Sequence, residues 1–125
     1  SDEEAQKLLA SLPAPYNTAD LKNGKSKFSL CQSCHTLTEG GANMTGPNLW
    51  HIIGATAGED RGGFKFSDAM TQSHIVWTPE KLDTWITKPQ DMVPGTKMSF
   101  AGLKNAQDRT DVIAYVMVHT GYKPE

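Results

Sequence analysis

A chain of 125 residues with a net charge of −2 is one domain by length and carries no nucleic-acid footprint. Its longest apolar stretch, around Val112–Val118, falls far short of the ~20 residues that a membrane span needs. Leu, Ile, Val and Phe total 23, about 18% of the chain, and with so small a net charge this points not to disorder but to a packed interior that something besides aliphatic side chains completes.

Residues 1–20 hold Asp2, Glu3, Glu4 and Asp20 against Lys7, net −3, while the remainder is net +1. Ser1-Asp-Glu-Glu reads as a capping box. Ala5, Leu8, Leu9 and Leu12 follow at helical spacing, and Pro13 and Pro15 stop the helix. The expectation is an acidic extension over 1–20, a short helix and a Pro-containing linker, that serves as a tether or spacer for a domain at 21–125. No secretory leader pattern opens the chain, so any signal peptide or anchor is expected to have been removed.

A second helix is predicted from about Thr18 or Asp20 to about Cys34, with Gly24, Phe28, Cys31 and His35 on one stripe. Residues 36–65 are rich in turn signals such as Gly40-Gly41, Gly46-Pro47 and Gly62-Gly63 and show no sustained period. A loop this long inside a small domain is accounted for if it wraps a ligand. Ser67 caps a short helix through Met70. Thr78-Pro79 starts another, with Leu82, Trp85 and Ile86 facing inward, and Pro89 and Pro94-Gly95 end that segment. The last helix is predicted from about Asn105 or Gln107 to Thr120, with Val112, Tyr115, Val116 and His119 on its apolar stripe and Gly121 at C′. No strand pair is evident. The expected class is all-α with long loops.

Only two cysteines are present, and Cys31-Gln32-Ser33-Cys34-His35 is the Cys-x-x-Cys-His signature of covalent haem attachment. One helical turn separates the two sulfurs, matching the two vinyl-bearing edges of a porphyrin. Thioether bonds then fix the ring, and His35 is carried beneath it to ligate iron. The rival readings are weaker. A thiol redox pair calls for a βαβ context. A structural zinc site calls for a second ligand pair, and His51, His74 and His119 share no such spacing.

An electron carrier also wants a protein ligand on the sixth iron position. Met117 lies in the last helix and reads as core, Met44 follows His35 too closely, and Met70 ends a short helix. Met92 and Met98 lie in the Pro/Gly-rich stretch after the Trp85 helix, and position alone leaves both open.

The chain resembles class I c-type cytochromes, close to the mitochondrial type and its alphaproteobacterial relatives. The resemblance rests on Cys31–His35, Thr45-Gly-Pro-Asn-Leu49, Gly54, Phe64, Ser67-Asp68-Ala69, Trp77, Pro94-Gly-Thr-Lys-Met98, Phe100-Ala-Gly102 and Asp111-Val-Ile-Ala-Tyr115, in order and at near-family spacing. It implies crossing N- and C-terminal helices and long loops around one covalent haem. It implies that Met98 is the axial ligand and that the Pro47 carbonyl accepts from Nδ1 of His35. It assigns Trp77 and Thr96 as donors to haem propionates, Phe100 as the flank of the exposed haem edge, and Phe28 and Tyr115 as packing residues at the helix crossing. Three positions depart from the mitochondrial pattern. Ala55 stands where an arginine lies near the propionates, with Arg61 as the candidate replacement. Phe66 and Trp85 each stand in place of a tyrosine.

The expected function is one-electron transfer through a His/Met-ligated haem c, with no enzymatic turnover. By resemblance, the partners are a quinol–cytochrome c reductase and a cytochrome c oxidase or another terminal reductase. Lys22, Lys25, Lys27, Lys88, Lys97 and Lys104 are candidates to ring the docking face. A monomer in the bacterial periplasm is expected, with the mitochondrial intermembrane space as the other compartment. The competing readings are a haem peroxidase or small-gas-binding protein with a labile methionine, and a domain of a larger membrane-anchored cytochrome.

Overall fold

Five short polar side chains start helices by accepting a backbone N–H: Ser1 from Glu4, Asp20 from Asn23, Ser67 from Met70, Thr78 from Lys81 and Asn105 from Asp108. In the computed structural model, which describes residues 1–124, they open α1 (Asp2–Ala10), α2 (Leu21–Phe28), α3 (Asp68–Thr71), α4 (Pro79–Thr87) and, after the short α5 (Pro89–Met92), α6 (Ala106–His119). A 3-10 turn at Tyr16–Thr18 joins α1 to α2. Among the described residues no strand forms, and Thr56 and Val76 make one isolated antiparallel bridge.

α2 ends sooner than its stripe predicts. Ser29 closes it, and the chain continues to His35 as a series of turns, with Cys31 N–H donating to Phe28 O and His35 N–H to Cys31 O. The turn keeps Phe28, Cys31 and His35 on one side without requiring a full helix.

α2 crosses α6 at Gly24. A Cβ there would lie 2.8 Å from that of Tyr115, so only glycine permits this approach. Phe28 and Tyr115 meet beside it with ring centroids 5.7 Å apart. Asp111, 2% exposed, sits inside the crossing. Its carboxylate is tolerated there because it accepts from Asp20 N–H (2.9 Å), Asn23 Nδ2 (2.8 Å) and Gln107 Nε2 (2.9 Å).

The N-terminal segment does not stand off as the expected spacer. Leu9, Leu12, Tyr16 and Ala19 are 5–7% exposed and pack with Ile113, Ala114, Met117 and Val118 of α6. Burying each of the larger side chains contributes about 1.5–3 kcal/mol before entropy is counted. The physical reason lies in α6. Its apolar residues occupy more than the stripe read from its sequence, and the face bearing Ala114 and Met117 is covered by residues 1–20. His119, placed on that stripe by spacing, is exposed instead.

Burial, with Glu80 and Asp83 nearby, pushes the Tyr16 phenol up to about 12. A raised folded-state value stabilises the neutral form. That contribution is whole below the unfolded value of about 10 and is lost as pH rises toward 12. Tyr16→Phe is therefore expected to fold normally at neutral pH and to lose less stability between about pH 9 and 12, as measured by denaturant melts across that range.

Candidate functional site

The turn after α2, the loop over residues 45–67, α4, the loop after α5 and one face of α6 enclose a cavity of about 380 Å³. That volume is within the usual range of small-molecule and cofactor sites, roughly 300–1,000 Å³. All eight residues singled out from the sequence line it: Cys31, Cys34, His35, Pro47, Trp77, Thr96, Met98 and Phe100. Of the five methionines only Met70 and Met98 do so. Met117 is wholly buried in the α1–α6 cluster, Met92 lies beside the second core cluster and Met44 is exposed.

The His35 ring is held from two sides. Its Nδ1 lies 2.8 Å from the Pro47 carbonyl oxygen. A carbonyl only accepts, so Nδ1 carries the proton and Nε2 keeps its lone pair. Burial lowers the His35 pKa, and the smaller opposing effect is the Pro47 bond. The neutral ring is the form able to ligate a metal. Gly46 supplies the second constraint. A Cβ there would lie 2.7 Å from Nδ1, so the backbone can lie against the ring only without a side chain. Gly46 N–H also donates to Cys34 O at 2.8 Å, tying the loop back to the motif.

No disulfide joins Cys31 to Cys34. Burial, and secondarily Cys34, push the Cys31 thiol up to about 11. A dithiol redox pair needs the opposite, a thiolate formed near neutral pH. The two sulfurs are instead placed as points of attachment beside an apolar cavity.

The loop carrying Met98 is braced from below. Gln90 Nε2 donates to Thr96 O at 3.0 Å and Met98 O at 3.1 Å, and Met98 N–H donates to Thr96 Oγ1 at 3.3 Å. The Thr96 hydroxyl proton remains free to donate elsewhere. Sequence reading missed Gln90, because an exposed glutamine has no pattern of its own. Gly46 was read only as part of a turn, and the Cys34–His35 neighbourhood it serves is brought to it by the loop.

Aromatic residues close much of the remaining wall. Phe64 meets Phe66 edge-on at 4.9 Å, and Trp77 meets Trp85 edge-on at 5.4 Å. Trp77 thus presents its indole on the cavity lining. Arg61 also lines the cavity. Its Nε donates to Asn48 O at 3.1 Å and its Nη2 to Trp50 O. The three ion pairs among the described residues join Lys27 to Asp108, Lys88 to Asp91 and Arg109 to Asp83, so Arg61 is a half-buried cation without a carboxylate. Lys22, Lys25, Lys97 and Lys104 are exposed.

An apolar cavity with two cysteine sulfurs and an oriented neutral imidazole at its wall suits a protein that holds a large flat cofactor covalently. The residues fit haem, whose ring needs apolar walls, and Thr96, Trp77 and Arg61 put polar side chains on the same lining. A family profile described as Cytochrome c matches residues 21–119. A cytochrome c homolog of Bradyrhizobium diazoefficiens is 40% identical over 116 residues, covering 93% of this chain and 59% of that protein. The cytochrome c of Kluyveromyces lactis is 35% identical over 107 residues, covering 85% of this chain and 96% of that protein. Among solved structures, cytochrome cH from Methylobacterium extorquens superposes with a TM-score of 0.72 at 38% identity, covering 78% of this chain and 97% of that one. The chain belongs to the cytochrome c family. It is an all-α electron-transfer protein carrying covalently bound haem c. Thus it spans nearly the whole length of the yeast protein but only about 59% of the Bradyrhizobium homolog.

Proposed function

We propose that this chain carries single electrons between respiratory complexes in the bacterial periplasm, through a haem c ligated by His35 and Met98. The observation that carries the reading is the shared cavity. Cys31, Cys34 and an oriented His35 come to it from the turn after α2, and a braced Met98 comes from the loop after α5. The haem supplies an Fe(III)/Fe(II) couple, and no bond need be made or broken on the protein. The chain's own work is to bind, orient and exclude water. Pro47 and Gly46 set the His35 ring plane. Gln90 and Thr96 hold the backbone of Met98. Phe64, Phe66, Trp77 and Trp85 keep the wall dry. A thioether ligand supplied by Met98 would raise the potential of the bound haem.

The electron donor and acceptor are a quinol–cytochrome c reductase and a terminal oxidase. The exposed Lys22, Lys25, Lys97 and Lys104 steer the encounter, because surface charge acts chiefly on association rate. Lys27 contributes less, since Asp108 lies 3.9 Å from its ammonium. The test is a pyridine haemochrome spectrum, a potentiometric titration and reduction of an oxidase at rising salt. Covalent haem, an intact methionine–iron charge-transfer band and an oxidase rate that falls with salt are expected. A missing charge-transfer band with ready peroxide turnover would sink the carrier reading in favour of a haem peroxidase.

Arg61 takes the place that Ala55 leaves vacant, as the fixed counter-charge to a propionate. Its positive charge disfavours Fe(III). Arg61→Gln, which keeps a donor but not the charge, is expected to lower the potential. Arg61→Lys should hold it closer to the unaltered value. A spectroelectrochemical titration of both variants checks the difference.

A further inference from the structure

Leu82 and Ile86 of α4 and Ile113 of α6 have neighbours on two sides. They line the haem cavity. They also belong to or pack against the cluster that Leu9, Leu12, Tyr16 and Ala19 complete. At these three residues the cavity wall is one side chain thick, and the layer behind it includes the N-terminal segment. The family profile begins at residue 21, so this layer lies outside the profile match. Ile113, Ala114 and Met117 are at most 2% exposed, a seclusion that the segment helps to enforce.

We infer that residues 1–20 form a second, water-excluding layer behind the haem cavity and thereby hold the reduction potential up. Oxidised haem carries one more positive charge than reduced haem, and a low-dielectric surround disfavours that charge. Loosening the outer layer lets water come within one side chain of the ring and stabilises Fe(III), so the potential falls. The segment's charges act in the other direction. Asp2, Glu3 and Glu4 are exposed and outnumber Lys7, so their negative field favours Fe(III), and removing them raises the potential. Salt screens the charge effect but leaves the exclusion of water untouched. The sign and the salt dependence therefore separate the two. The inference rests on haem occupying the cavity. It does not depend on which residue is the sixth ligand, which the charge-transfer band reports independently of the potential.

The experiment compares the holoprotein with its Leu12→Ala/Tyr16→Ala and Glu3→Gln/Glu4→Gln variants by spectroelectrochemical titration at low and high salt. In the Leu12/Tyr16 variant the Fe(III):Fe(II) ratio at a fixed applied potential is expected to rise about tenfold, equivalent to roughly 59 mV. The shift should be the same at both salt concentrations, with the charge-transfer band retained. The Glu3/Glu4 variant should shift slightly in the opposite direction, and only at low salt. An unchanged or raised potential in a folded Leu12/Tyr16 variant overturns the inference. Should that variant lose its native near-ultraviolet circular dichroism, the single Leu12→Ala change decides the matter. A smaller fall in potential supports the second layer, and a loss of stability without any fall reduces residues 1–20 to a purely structural brace.

Discussion

Prepared without haem, as Cys31→Ala/Cys34→Ala in cells lacking haem attachment, the chain is expected to lose its native tertiary structure at room temperature. The cavity would then be a void or a water-filled gap lined by Phe28, Ile52, Trp77, Trp85, Ile113 and Val116. At about 24 cal/mol per Å³, a void of 380 Å³ costs on the order of 9 kcal/mol. A domain of this size has only about 5–15 kcal/mol in total. Collapse of the long loop onto the gap would recover part of the cost but only by abandoning the native packing. Near-ultraviolet circular dichroism should be flat, and a dye that binds exposed apolar surface should fluoresce strongly. A cooperative melt near the temperature of the holoprotein would contradict the account. The low count of aliphatic residues then has its explanation, since haem supplies the missing apolar centre.

Met98→Ala is expected to produce the largest change in the chemistry of the site. The charge-transfer band disappears, and the sixth position opens to water and peroxide. The potential falls on the order of 0.2 V, well inside the ~0.8 V over which axial ligands set haem potentials. Peroxide turnover should rise together with the fall in potential, because both follow from the vacated position. Stability should drop less than on loss of haem, since Gln90 still braces the loop through the backbone carbonyls of residues 96 and 98. An unchanged spectrum and potential in Met98→Ala would direct attention to Met70, the other methionine at the cavity.

Some elements were legible because their signals are local. Ser67, Thr78-Pro79 and Asn105 start helices with side-chain oxygens that reach a backbone N–H three residues on, so those starts needed no tertiary information. The Cys31–His35 motif is equally local, since one turn of backbone sets the spacing of its two sulfurs and the following imidazole. Other features were not local. α2 is shorter than its stripe because the stripe continues through turns that keep the same side facing inward. Tyr16 carries no period, standing alone just after Pro13 and Pro15, yet it is 5% exposed. His119 fell on a helical stripe that at the end of α6 faces solvent.

By itself, the sequence determined the attachment motif, the helix starts, the need for a filler in the core and the family resemblance. All of these depend on residue type, short spacing or order along the chain. Only the tertiary structure decided that Gly46 lies against the His35 ring, that Gln90 braces the Met98 loop and that Arg61, without a carboxylate partner among the described residues, sits at the cavity. It alone placed residues 1–20 behind the cavity wall rather than beyond the domain. Each of these is a contact between segments that the chain's path brings together. Such contacts arise when apolar faces left open by one element are covered by another, and no periodicity within a single element records which one will do so.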